Sequence, residues 1–192
     1  MKKIFVFIIA LAISLSINAQ DYQKMWKEYN DDISNLLPES AEKVLNKIEK
    51  QALKDKNDIQ LLKTVIKRSE IFNLKEENPE DTIVGYCKSY LPKLSKASKV
   101  ILNVEIAKYK YKFDDIRELK DDDFIKTVSM EKYADIFQSE NDHTVFDLEL
   151  EPTLYDYVMH CLISNYHYYS FEDELYEKLL TFDLENNFMK AY

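Results

Sequence analysis

The stretch "PESAEKVLNKIEKQALKDKNDIQLLKTVIKRSEIFNL", Pro38 to Leu74, sets the architecture of this chain. In its first half Ala41, Val44, Leu45, Ile48 and Ala52 recur at steps of three and four, placing them on one face of a 3.6-residue helix while lysines and glutamates face water. Pro38 fits the first turn, where its missing N–H costs nothing. In the second half Asn57 is the expected N-cap, with Gln60 three residues on completing a capping box. Ile59, Leu62, Val65, Ile66 and Phe72 are the expected buried stripe. Two amphipathic helices joined by so few residues must lie antiparallel and bury their stripes on each other.

Working outward, "YQKMWKEYNDDISNLL" reads as a shorter helix packing Met25, Trp26, Tyr29 and Ile33 on this hairpin, with Trp26 as a core anchor. A second hairpin is expected from "NPEDTIVGYCKSYL", capped at Asn78 with Pro79 first in the helix. Its partner is "PKLSKASKVILNVEIAKYKYKF", where Ala97, Val100, Ile101, Val104 and Tyr111 keep helical spacing. The lysines Lys108, Lys110 and Lys112 do not share a helical face, and Asp114 and Asp115 follow at once, so they read as a solvated helix end. From 114 to 151 the periodicity fades into a charged connector that carries a short helix at "SMEKYADIFQS" and an extended stretch near 143–150. Asp121 to Asp123 lack the glycine and the later glutamate of a calcium loop and read as acidic surface.

The ends and the composition narrow the class. Lys2 and Lys3, the apolar run Ile4 to Ile17, and the small residues after it have the order of a secretory signal peptide over 1–19. The run is short of the roughly 20 apolar residues of a membrane span, so no span is expected once the signal is removed. Losing Lys2 and Lys3 makes a formal charge of -9 more negative still, which argues against nucleic acid as a partner. The expected location is therefore periplasmic or extracellular. Gly85 is the only glycine, and phosphate-cradling loops, dinucleotide fingerprints and tight hairpin turns cannot be written with one. The fold class expected for 20–192 is all-α: helical hairpins over 20–113 in a tetratricopeptide-like array, the connector, and C-terminal helices over 152–192. Cys87 and Cys161 are the only thiols; a bridge between them and two buried, unbridged cysteines are both compatible with the sequence.

The concentration of reactive side chains lies in "EPTLYDYVMHCLISNYHYYS", Glu151 to Ser170. Leu154, Tyr157, Val158, Cys161 and Leu162 form a buried stripe, so Cys161 reads as a small core residue. Asp156, His160 and His167 fall on the opposite face. Asp156 and His160, one turn apart, are the pair that could chelate an ion, whereas His167 lies roughly 10 Å further along the axis and cannot join them. Thr153 followed by Asp156 is also a capping arrangement, which accounts for the aspartate without a metal. No catalytic, cofactor-binding or metal-ligating residue is assigned on these grounds, and no cofactor is expected.

Two blocks carry a family resemblance. "LPESAEKVLNKIEKQALKDKNDIQLLKTVIKR" is similar to the helical hairpin after the signal peptide in alpha-2-macroglobulin-like proteins of Bacteroidetes-type bacteria, through Leu37, Pro38, Ser40, Ala41, Ile48, Ala52, Asn57 and Gln60, with Trp26 upstream. "PTLYDYVMH" resembles a Pro-Thr-Leu-Tyr-Asp-(aromatic)-x-x-His segment further along the same region, through Pro152, Thr153, Leu154, Tyr155, Asp156 and His160. The spacer between the blocks is shorter than in that family, and neither Cys87 nor Cys161 stands in the Gly-Cys-x-Glu-Gln segment that forms the family's thioester. The resemblance implies a non-catalytic scaffold or protein-binding domain equivalent to the family's N-terminal segment, truncated of the macroglobulin and thioester domains, with a protease or an envelope protein as partner. The alternatives are a stand-alone tetratricopeptide-like peptide-binding module and, resting on the histidine helix alone, a metal-dependent enzyme.

Overall fold

The computed structural model describes residues 21–110, 116, 119, 122–137, 148 and 150–166. The expected signal peptide, Tyr111, His167 and the C-terminal helices beyond 166 lie outside them, as does the extended stretch near 143–150 except Leu148 and Leu150, which are in turns. Among the described residues the fold is all-α, with one isolated bridge between Ser129 and Thr153 and no strand. None of the described helices is long and apolar enough to cross a membrane. The chain divides into two compact units between Glu76 and Glu77.

The first unit is an up-down-up arrangement of α1 (residues 21–34), α2 (Pro38–Asp55) and α3 (Asp58–Lys75). α2 buries Ala41, Val44, Leu45, Ile48 and Ala52, the stripe expected from its spacing, and Pro38 opens it. Each large aliphatic side chain so buried contributes about 1.5–3 kcal/mol. Opposite charges fix the register of α2 and α3. The guanidinium of Arg68 donates to Asn46 Oδ1 at 2.8 Å and Glu49 Oε2 at 3.2 Å, and Lys75 sits 2.8 Å from Glu39 and 2.9 Å from Glu42.

α3 departs from the expected stripe. Leu62 and Val65 are buried, but Ile59, Ile66 and Phe72 keep partial exposure, while Leu61, Thr64, Lys67, Arg68, Ser69 and Ile71 are buried. The reason is that α3 has two neighbours and so buries two faces. α1 lies along its second face, where the Trp26 indole N–H donates to Gln60 Oε1 at 2.6 Å and the Tyr29 hydroxyl donates to the Lys67 carbonyl at 3.2 Å. Trp26 and Tyr29 are buried, with Met25 and Ile33 less so, and Trp26 is the core anchor expected of it.

Both corners of this unit use the same device. α1 ends with Leu36 at φ 57° and α2 with Lys56 at φ 53°, each in the left-handed region. At the first corner Leu36 N–H bonds to Ile33 O at 3.0 Å and Leu37 N–H to Asp32 O at 2.9 Å; at the second Lys56 N–H bonds to Leu53 O at 3.4 Å and Asn57 N–H to Ala52 O at 2.9 Å. These are Schellman caps, and the residue that completes each one is also the N-cap of the next helix. The second corner thus places Asn57 in both roles: its backbone closes α2 while its side chain accepts the Gln60 N–H at 3.2 Å. The reciprocal half of the expected capping box does not form, because the Asn57 N–H is already donated to Ala52 O and Gln60 Oε1 accepts from Trp26 instead.

The second unit holds α4 (Glu80–Tyr90), a 3-10 turn at Leu91–Lys93, and α5 (Lys96–Lys110), the expected second hairpin. The N-cap of α4 is Pro79 rather than Asn78: its carbonyl accepts the Ile83 N–H at 2.8 Å. α5 buries Ala97, Val100, Ile101 and Val104 as its spacing implies. Ile106 and Ala107 are buried as well, because α5 also packs against α8 (Leu154–Tyr166). Between them come α6 (Asp123–Lys126), capped by Asp122 accepting the Phe124 N–H at 2.9 Å, and a 3-10 turn at Glu131–Tyr133 running into α7 (Ala134–Phe137). This last pair is the short helix expected in "SMEKYADIFQS". The bridge ties the return of the connector to α6, with Met130 N–H bonded to Pro152 O at 3.0 Å and Leu154 N–H to Val128 O at 2.8 Å.

Candidate functional site

The chemistry-bearing side chains of the second unit gather where α5 meets α8. α8 begins with the capping box expected from the sequence. Thr153 N–H donates to Asp156 Oδ2 at 2.9 Å, the Thr153 hydroxyl donates to the same oxygen at 2.6 Å, and Asp156 N–H returns a bond to Thr153 Oγ1 at 3.3 Å. Asp156 is therefore engaged at the helix start. Leu154, Tyr157, Val158, Cys161 and Leu162 are all buried, as their spacing implies.

His160 has a different partner from the one its spacing offered. Its Nδ1 meets a carboxylate oxygen of Glu151, a residue at the end of the connector whose side chain is only 8% exposed. The other oxygen, Oε2, is buried without a hydrogen-bond partner among the described residues. Nothing in the sequence flags Glu151: it lies nine residues before His160, outside the helix, and is brought in by the bridge that pins Pro152 beside Met130.

A second set of contacts joins α5 to α8. The Tyr157 hydroxyl donates to Glu105 Oε1 at 2.5 Å, and Lys108 Nζ lies 2.7 Å from the same oxygen and 5.6 Å from the centre of the Tyr157 ring. Phe137 of α7 closes on Tyr157, with ring centres 5.1 Å apart. Lys108 therefore corrects the reading of the lysine run as a solvated helix end: it is half-buried and held between Glu105 and an aromatic face, because α8 packs over the last turns of α5.

Electrostatics fixes the protonation of this group. Burial pushes the Cys161 thiol up to about 12, and the neighbouring Lys108 ammonium opposes this only in part. Burial, reinforced by the Glu105 carboxylate, raises the Tyr157 phenol far above its ordinary value. Burial works against the charge on Lys108, but the charge and hydrogen bond of Glu105, together with the Glu151 and Cys161 side chains, outweigh it and the net shift is upward. At neutral pH the group thus presents a thiol, a phenol and an ammonium, with no thiolate for nucleophilic attack and no neutral amine. Cys87 and Cys161 are both buried, and neither is in a disulfide.

Asp156 and His160 are not brought together on a common ligand site, and His167 lies outside the described residues. Among the described residues no group of three or more His, Cys, Asp and Glu side chains is placed to hold a metal ion. Glu151 to His160 fastens the connector to α8, and Glu105 to Tyr157 fastens α8 to α5. The chain matches no protein-family model, no curated protein and no solved structure.

Proposed function

We propose that this chain is an exported, non-catalytic helical scaffold that binds another protein, equivalent to the N-terminal helical segment of an alpha-2-macroglobulin-like protein. The observation that carries the non-catalytic reading is the engagement of the reactive side chains of α8 in packing and capping: Asp156 in the helix start, His160 on Glu151, and Cys161 as a buried thiol. The link to the family rests on the two resembling blocks. The first of them makes up the α2–α3 hairpin and the second opens α8. Export rests on the order of charge, apolar run and small residues at the N-terminus. A stand-alone peptide-binding module of tetratricopeptide-like hairpins is the second reading, favoured by the short corners and successive hairpins of α2–α3 and α4–α5.

The test is a panel of purified proteases and envelope proteins mixed with the chain, read by complex formation and by residual protease activity. Stable stoichiometric binding without turnover supports the scaffold, and inhibition within such a complex supports the macroglobulin link. Zinc-dependent turnover lost in His160→Ala would overturn the non-catalytic reading.

A further inference from the structure

Three of the most exposed large apolar side chains stand at one end of the first unit. Leu36 is 79% exposed, Leu37 49% and Leu74 55%. Leu36 and Leu37 form the corner between α1 and α2. Leu74 is heptad-related to Gln60 and Lys67, the α3 positions that face α1. It therefore lies on the α1 side of α3, beyond the Tyr29 contact and level with that corner. The salt bridge of Lys75 to Glu39 at 2.8 Å independently sets the last turn of α3 beside the first turn of α2.

Neither Leu36 nor Leu37 is where local backbone chemistry wants a leucine. Leu36 occupies a left-handed cap that favours glycine or asparagine, and Leu37 occupies an N-cap that favours serine, threonine, aspartate or asparagine and makes no side-chain capping bond there. Two positions that disfavour leucine on local grounds and bury little of it point to a use outside the unit. Asp31, Asp32, Glu39, Glu42 and Glu76 border this end against Lys27, Lys43 and Lys75; Lys27 is paired with Asp31 at 3.6 Å and Lys75 with Glu39 and Glu42, which leaves the rim net acidic.

From this we infer that the leucine end of the first unit docks a segment of a partner protein presenting aliphatic side chains flanked by lysine or arginine. The inference rests on the scaffold reading above and names the face and the chemistry of its partner. Charge complementarity selects a basic segment. A second copy of this chain is disfavoured on two grounds. Apposing two such ends would set acidic rims against each other. Three leucines a side also fall well short of the roughly 1,200 Å² of a stable symmetric interface.

Two synthetic amphipathic helical peptides of equal length and leucine content test this, one with lysine and one with glutamate on the polar face. They are titrated into the purified protein and read by leucine methyl chemical shifts. The lysine peptide is expected to bind saturably at Leu36, Leu37 and Leu74. Binding is expected to weaken at least tenfold in the double variant Leu36→Asp, Leu37→Asp and to stay within twofold in Leu53→Asp, at the opposite end of the unit. The double variant suits both backbone positions, so it folds, and it makes the end more acidic. Loss of binding there cannot come from weaker charge attraction. Unchanged binding in the double variant, equal loss in Leu53→Asp, or equal binding of the glutamate peptide would each overturn the proposal. So would a dimer, seen by sedimentation equilibrium, that the double variant abolishes. If the peptides fail while a protease or envelope protein still binds the chain, the scaffold reading stands and its binding face is elsewhere.

Discussion

Replacing Lys56 by glycine should stabilise the first unit, although it deletes a side chain and adds backbone freedom to the unfolded chain. Lys56 holds φ 53°, a conformation that costs an L-residue roughly 1–2 kcal/mol. Glycine adopts it without that cost, and its greater entropy in the unfolded state offsets the gain by about 0.5–1 kcal/mol. The Lys56 side chain is exposed and has no hydrogen bond or ion pair among the described residues, so nothing further is lost. The net expectation is a gain of about 0.5–1 kcal/mol, which at roughly 1 kcal/mol per molar urea raises the midpoint by about 0.5–1 M. Trp26, the only tryptophan in the chain, is buried against α3, so its fluorescence reads this unit's unfolding directly. Lys56→Ala keeps the strain and serves as the control, with a midpoint near wild type. If Lys56→Gly lowers the midpoint while Lys56→Ala raises it, the left-handed cap does not carry the strain assigned to it.

The opposite exchange is expected to help at Gly85, which is helical and exposed, with nothing within 4 Å of an added Cβ: Gly85→Ala should gain about 0.5–1 kcal/mol, seen as a higher melting temperature by circular dichroism. His160→Ala leaves the Glu151 carboxylate buried and unpaired, at a cost of roughly 3 kcal/mol in urea unfolding. A smaller loss is expected when Glu151→Gln accompanies it. Burial, then the Glu70 carboxylate, raises the Tyr29 phenol, so the folded state holds that proton more tightly than the unfolded one. Its contribution is present below pH about 10 and lost as pH rises beyond that, and Tyr29→Phe should flatten this alkaline limb. The Cys161 thiol, pushed up to about 12, should resist a thiol reagent at pH 8 in native protein and react only on unfolding.

What the sequence made legible and what it hid divide along a physical line. The stripe of α2 could be read residue by residue because that helix has one buried face and its period is local. The stripe of α3 was misplaced at Ile59, Ile66 and Phe72 because a helix between two neighbours buries a wider arc, and the identity of the second neighbour is not a local property. The capping pair Thr153 and Asp156 was legible at three-residue spacing, as was the inward Cys161. The pairing of His160 with Glu151 was not, since it depends on a bridge between segments more than twenty residues apart. Scarcity of glycine gave no hint that Leu36 and Lys56 would take left-handed backbone themselves.

The double duty of Asn57 has a consequence for how this chain can vary in length. With no spacer residue between the closing bond of α2 and the opening cap of α3, the corner behaves as a phase lock. One inserted residue would turn all of α3 by about 100° relative to α2 and carry Arg68 and Lys75 away from Glu42, Glu49 and Glu39. Lengthening or shortening the chain at Lys56–Asn57 is therefore a change of helix register, whereas a substitution there changes only strain. Relatives of this chain should differ at that corner in residue type and agree in residue count.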